Sequence, residues 1–272
     1  MRWQEPHPPR RGNRSPASAG TRAGCDTDPV LIGVYVDGYN LYYGGRGICG
    51  RGLPGWRWLD LRALSEAVVT AHSGWVSPGS TKVVFCTARI KGKGNPSAQQ
   101  DQDVYLRAIK QAAAVDVVEL GTYVERTAVS PLATPDRRGR PVLTRAKWPL
   151  VVKDSSGSDV PDAWFMASVA RREEKGSDVN VATHLIKDVL TRAVDAAVVI
   201  SNDSDLKLPI QEAKQHVPVG LVNPTKNYPA GALNGSPSEG AGGHWWYQLT
   251  ATDFVSHQLA PQVGRLHRPL GW

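Results

Sequence analysis

Cysteine is scarce in this chain: 272 residues hold only Cys25, Cys49 and Cys86. They show no CxxC spacing and no matching histidine pattern, which argues against a zinc site or a disulfide framework. Reduced thiols in a cytosolic protein are expected. Long apolar runs are missing as well, and no stretch approaches the roughly 20 apolar residues of a membrane-spanning helix. The basic N-terminus lacks the apolar core of a secretory signal. A cytoplasmic protein without a membrane partner is therefore the expectation. Residues 1–29 have almost no branched apolar side chains and are rich in Pro, Arg, Ser and Gly. Such a segment cannot offset its ordering entropy, so it is expected to be a disordered basic tail.

What the chain does have is 41% hydrophobic residues, enough for a full core, and a formal net charge of +7. A positive balance fits a polyanion partner only in a general way. It gains meaning beside an acidic site, where basic surroundings suit a substrate that carries phosphates.

Two acidic elements bracket the ordered part. Val34-Tyr35-Val36-Asp37-Gly38-Tyr39-Asn40 and Val198-Val199-Ile200-Ser201-Asn202-Asp203-Ser204-Asp205 each run as a short apolar stretch that breaks off at a carboxylate among turn-forming residues. If both stretches are buried parallel strands side by side, Asp37, Asp203 and Asp205 converge on one crevice at the strand ends, where open α/β sheets place ligands. Carboxylates crowded in this way repel unless a cation neutralises them, which points to a hard divalent ion such as Mg²⁺ or Mn²⁺.

Periodicity predicts strands at 30–36, 82–87, 115–124, 196–200 and 217–222. Helices are expected over 58–72, 97–114, from about 177 to 190, and over 206–215. The alternation implies right-handed crossovers and a mainly parallel sheet. Residues 44–55 read as a Gly-rich loop. Residues 89–95 read as a basic loop beyond a strand end, placing Arg89, Lys91 and Lys93 as candidate phosphate contacts. Residues 125–172 form a basic insertion with a possible hairpin between 142–143 and 150–152. Residues 226–272 read as a Gly/Pro-rich extension with a short closing helix.

Three motifs, Val-Asp-Gly-Tyr-Asn-Leu at 36–41, Lys-Gly-Ser-Asp-Val at 175–179 and Ser-Asn-Asp-Ser-Asp-Leu at 201–206, together resemble the NYN domain family, PIN-like nucleases that include the bacterial LabA-like (DUF88) proteins. The likeness spans residues 30–225 and keeps the family's motif order. It implies a three-layer PIN-like α/β domain, with a mainly parallel sheet between helices and a metal-dependent ribonuclease site at the strand ends. By position it implies Asp37, Asp178, Asp203 and Asp205 as catalytic metal ligands for Mg²⁺ or Mn²⁺, with Asn40 beside them. RNA, single-stranded or structured, is the implied partner, and a homodimer is compatible. The chain departs from the family at His184, where another acid is usual.

In a phosphodiesterase of this design, one or two ions would activate water and neutralise the non-bridging oxygens, and Asn40 and Ser201 would orient water or a carboxylate. Other roles stay open. Asp37 suits a turn, Asp178 and Asp205 suit helix starts, and His184 lies beside an apolar stripe. Trp56, Trp58, Trp245 and Trp246 could stack on bases or serve as packing. The competing function is a catalytically weak NYN module that binds RNA or a protein.

Overall fold

The computed structural model describes residues 30–75, 78–91, 95–146, 151–233 and 235–272, the side chains of 78–80 and 172 excepted. The expected tail at 1–29 and Lys93 lie outside the described residues. Strand β1 (Val30–Asp37) leads into helix α1 (Gly38–Cys49), and α2 (Leu61–His72) into β2 (Pro78–Ala88). Helix α3 (Pro96–Gln111) precedes the long β3 (Val117–Pro131). A small hairpin of β4 (Ala133–Pro135) and β5 (Pro141–Leu143) follows, then β6 (Met166–Lys175) and α4 (Ser177–Leu190). The chain continues as β7 (Ala196–Ile200), α5 (Lys207–Lys214), β8 (Val219–Asn223), β9 (Trp245–Gln248) and α6 (Ala251–Ser256).

The main sheet has seven strands in the order β6-β3-β2-β1-β7-β8-β9. Every neighbour pair is parallel except β3 with β6. Period-two alternation along the fully buried strands builds two cores. Ile32, Val34 and Val36 of β1 pack with Leu61, Leu64 and Val68 of α2, with Leu106 and Ile109 of α3, and with Phe254 of α6. Tyr35 of β1 faces the opposite core, formed by Val181, Leu185 and Val189 of α4 and by Ile210 and Ala213 of α5. The result is a three-layer α/β fold.

Connections out of β1 cross one face through α1 and α2, and those into and out of β7 cross the other through α4 and α5. The strand order thus reverses between β1 and β7, and a crevice opens at their carboxyl ends. Below that crevice, Asp188 is buried and accepts from the Tyr35 hydroxyl at 3.0 Å and from Lys82 Nζ at 2.6 Å, tying α4 to β1 and β2.

Several boundaries differ from expectation for identifiable reasons. Residues 44–49 are helical despite three glycines, because a Cβ on Gly44 would collide with the Pro224 backbone and one on Gly45 with Phe254 and Trp56. Glycine there serves close packing rather than loop flexibility. The helix expected from 97 starts at Pro96, with Asn95 capping α3, its side chain accepting from the Ala98 N–H at 3.4 Å. Within the insertion, 141–143 pairs with 133–135, while residue 150 of the expected hairpin lies outside the described residues. The β3 and β6 strands pair antiparallel from Thr122 with Lys175 to Pro131 with Met166, a two-stranded arm. The segment beyond 226 belongs to the domain: β9 pairs with β8, and Phe254 is buried in the core. No helix among the described residues is long and apolar enough to cross a membrane.

Candidate metal centre

Alternation along β1 turns Val34 and Val36 to one core and leaves Asp37 on the side of Tyr35, facing α4. Asp37 is 1% exposed. Its Oδ1 caps α1 by accepting the Asn40 N–H at 3.0 Å, and its Oδ2 accepts the Ser201 hydroxyl at 2.9 Å. Ser201 Oγ in turn accepts the Asp203 N–H at 3.1 Å, and Asn40 Oδ1 accepts the Asn202 N–H at 3.0 Å. These bonds staple the end of β1 to the end of β7, so the two acidic motifs hold each other's geometry. Asp203 Oδ1 also accepts the Asp205 N–H at 2.9 Å, capping a 3-10 turn at Ser204–Leu206.

The third carboxylate comes from another element. Gly176 takes a left-handed conformation, φ 98°, that turns β6 into α4 and places Asp178 in the first helical turn. One carboxylate oxygen from each of Asp37, Asp178 and Asp203 lies within 4.8 Å of the others. Oxygens about 2.0–2.6 Å from a common cation would be up to about 5 Å apart, so the triad could hold a metal ion.

The charge distribution agrees. Burial pushes the Asp37 carboxyl up to about 6, with smaller contributions from Asp203 and Glu174, while the hydrogen bonds from Asn40 and Ser201 pull it down. Burial, then Asp37, Asp203, Glu174 and Asp205, push Asp178 to about 6 as well. Burial and the nearby Glu119, Asp37 and Asp178 push the Cys86 thiol up to about 12, so it stays protonated. The chain thus builds a site where two carboxyls resist ionisation until positive charge arrives.

Sequence candidates outside the triad separate into distinct environments. Asp205 is exposed and lies outside the three-carboxylate group, although its charge still raises Asp178. Ser201 is fully buried, so it positions Asp37 and is not a substrate contact. Arg89 pairs with Asp103 of α3 at 3.0 Å. His184 stands 3.5 Å from a Glu119 carboxylate oxygen and is no part of the triad. Trp56 and Trp58 are core residues, whereas Trp246 is exposed. Sequence reasoning missed Glu174, whose Oε1 accepts both the Ser177 N–H at 3.1 Å and its hydroxyl at 2.7 Å, beside the site. No local signal sets it apart from the adjacent Glu173.

No family model matches the chain. A curated protein from Pseudomonas putida, 6-hydroxy-3-succinoylpyridine 3-monooxygenase HspA, is 29% identical over 219 residues, covering 74% of this chain. The chain spans 61% of the length of that relative. A crystal structure of a protein of unknown function from Vibrio parahaemolyticus superposes with a TM-score of 0.39 at 15% identity, covering 81% of this chain and 93% of the other. At that score the two are too loosely alike to transfer anything. The relative overturns the expectation of a phosphodiester-hydrolysing endoribonuclease: a monooxygenase is an oxidoreductase, a different kind of reaction from hydrolysis.

Proposed function

We propose that this chain is a metal-dependent oxidoreductase that inserts an oxygen atom into a small aromatic compound, using the acid arrangement of an NYN-type domain. The observation that carries the proposal is the carboxylate triad at the β1/β7 strand ends. The name of the Pseudomonas relative supports the class of reaction. Asp37, Asp178 and Asp203 would hold the ion. An all-oxygen donor set suits Mg²⁺ or Mn²⁺ better than metals that prefer imidazole or thiolate. A bound divalent ion would supply a fixed positive charge that lowers the pKa of a coordinated hydroxyl.

The protein's own groups would do the rest. The Asn40 N–H and the Ser201 hydroxyl fix the two oxygens of Asp37, and Asn40 Oδ1 holds the Asn202 N–H beside them. The reaction balances with dioxygen and a two-electron reductant as co-substrates: one oxygen atom enters the substrate and the other leaves as water, with two electrons and two protons consumed. Purified protein would be supplied with Mn²⁺ or Mg²⁺, a nicotinamide reductant and 6-hydroxy-3-succinoylpyridine under ¹⁸O₂. We expect substrate-dependent oxygen uptake with one labelled atom in the product, lost with EDTA and in Asp37→Asn. Absence of substrate-dependent uptake with either metal overturns the proposal.

A second reading, a nucleic-acid-binding module, is favoured by one observation. The exposed turn between β4 and β5 carries Arg137, Arg138 and Arg140. Binding through them would weaken steeply with salt, and Arg138→Ala combined with Arg140→Ala would flatten that dependence. RNA affinity that ignores both salt and the double variant removes this reading.

A further inference from the structure

On the face of the sheet opposite α4, a cavity of about 580 Å³ opens at the carboxyl ends of β1 and β2. Its lining starts at Gly38, one residue after Asp37, and takes in Phe85, Thr87 and Ala88 at the end of β2. The volume lies in the range of small-molecule sites, about 300–1,000 Å³. Its wall is aromatic. Trp56, Phe85, Tyr105 and Phe254 are buried, and Tyr39 and Tyr42 stand at the rim with 42% exposure each. The Tyr42 and Trp56 ring centroids are 5.5 Å apart, and Trp56 meets Phe254 edge-on at 6.3 Å. So many ring faces and edges around one space favour a planar ring as occupant.

Positive charge gathers in that wall. Trp56 is 3% exposed, and its indole Nε1 is buried without an acceptor; the same holds for Nε of Arg57. Arg57 places its guanidinium 5.2 Å from the Trp56 ring and makes one long contact, Nη1 to the Gly271 carbonyl at 3.4 Å. Neither Arg57 nor the neighbouring Arg46 has an ion-pair partner among the described residues, and Lys91 adds a third cation to the lining. Asp101 and Glu125 are the acids of the wall. A carboxylate facing these cations would gain charge-assisted hydrogen bonds, the strong kind, from a guanidinium group.

We propose that this cavity binds a planar aromatic compound bearing a carboxylate, with the ring against Trp56 and Tyr42 and the carboxylate accepting from the Arg57 guanidinium. The cavity lies away from the metal-binding carboxylates, so its assignment stands apart from the oxidoreductase reading above.

The test is calorimetric titration of the full chain with naphthalene-2-carboxylate, with naphthalene-2-methanol, which keeps the ring and loses the charge, and with cyclohexanecarboxylate, which keeps the charge and loses the aromatic faces. We expect saturable one-to-one binding of the aromatic acid and at least about tenfold weaker binding of each control. Arg57→Gln should weaken the aromatic acid about tenfold and leave the neutral alcohol nearly unchanged. Trp56→Phe, read only where thermal unfolding shows it folded, should weaken it several-fold. Asp37→Asn should leave it intact, because the carboxylates face the other side. No saturation by the aromatic acid, equal binding of cyclohexanecarboxylate, or indifference to Arg57→Gln overturns the proposal. Retained binding without substrate-dependent oxygen uptake leaves the cavity assignment standing and removes the oxidoreductase.

Discussion

Asp37→Asn should make the metal-free protein more stable and metal-insensitive at once. A carboxyl whose folded pKa lies above its unfolded value destabilises the fold when ionised. The penalty is absent below the unfolded pKa, grows as pH rises through the folded value, and is constant above it. With the Asp37 carboxyl raised from 3.8 to about 6, the ionised group costs about 3 kcal/mol at about pH 7.5 and about 1.5 kcal/mol at about pH 5. Asparagine removes that penalty and keeps an oxygen for the Asn40 N–H. Its amide nitrogen replaces the oxygen that accepts the Ser201 hydroxyl, and losing that buried bond costs about 2 kcal/mol. The net gain is about 1 kcal/mol near pH 7.5, a rise in Tm of about 2–4 °C, and none near pH 5.

Metal acts in the opposite sense. For the wild type, an ion at 100 times its Kd adds about 2.7 kcal/mol, because it binds only the folded triad. The variant should lose that shift. Thermal unfolding at both pH values, with and without Mn²⁺, reads all of this. A variant destabilised near pH 7.5, or one that keeps the Mn²⁺ shift, refutes the assignment of Asp37 as a buried ligand.

Metal affinity of the wild type should fall below about pH 6 by up to two decades per pH unit, since protons on Asp37 and Asp178 compete for the same oxygens, and should level off above about pH 7. Calorimetry across that range checks it, and a flat profile speaks against the pair. Asp203→Asn should cost metal binding at least about tenfold while Asp205→Asn costs less than about threefold, as only Asp203 belongs to the triad; equal losses would return Asp205 to the site. Asp188→Ala leaves the half-buried Lys82 and the buried Tyr35 hydroxyl without their acceptor and should destabilise by about 3 kcal/mol in denaturant unfolding. Gly44→Ala forces a Cβ into the Pro224 backbone and should cost about 2 kcal/mol or more, although alanine is the better helix former.

Local pattern was enough for the acids and their strands. The apolar run that ends at Asp37 and the one before Asp203 are strands because branched residues fill them, and β7 falls at 196–200 as periodicity places it. Asp178 was legible from its motif at a helix start. Glu174 was not, since nothing local distinguishes it from Glu173, which instead pairs with Arg126 and Arg171 on the exposed arm.

What the sequence determined by itself was the α/β alternation, the mainly parallel sheet and the acids at two strand ends, all consequences of periods of 2 and 3.6 and of turn chemistry close in the chain. Only the tertiary structure decided the rest. It made a glycine-rich run helical because Pro224, Phe254 and Trp56 press on it, joined β9 to the sheet edge, drew Asp178 to Asp37 and Asp203 while leaving Asp205 outside, and opened an aromatic cavity whose donors lie far apart in sequence from most of its wall. Each of these depends on contacts between distant segments, whose free energy local propensity does not contain.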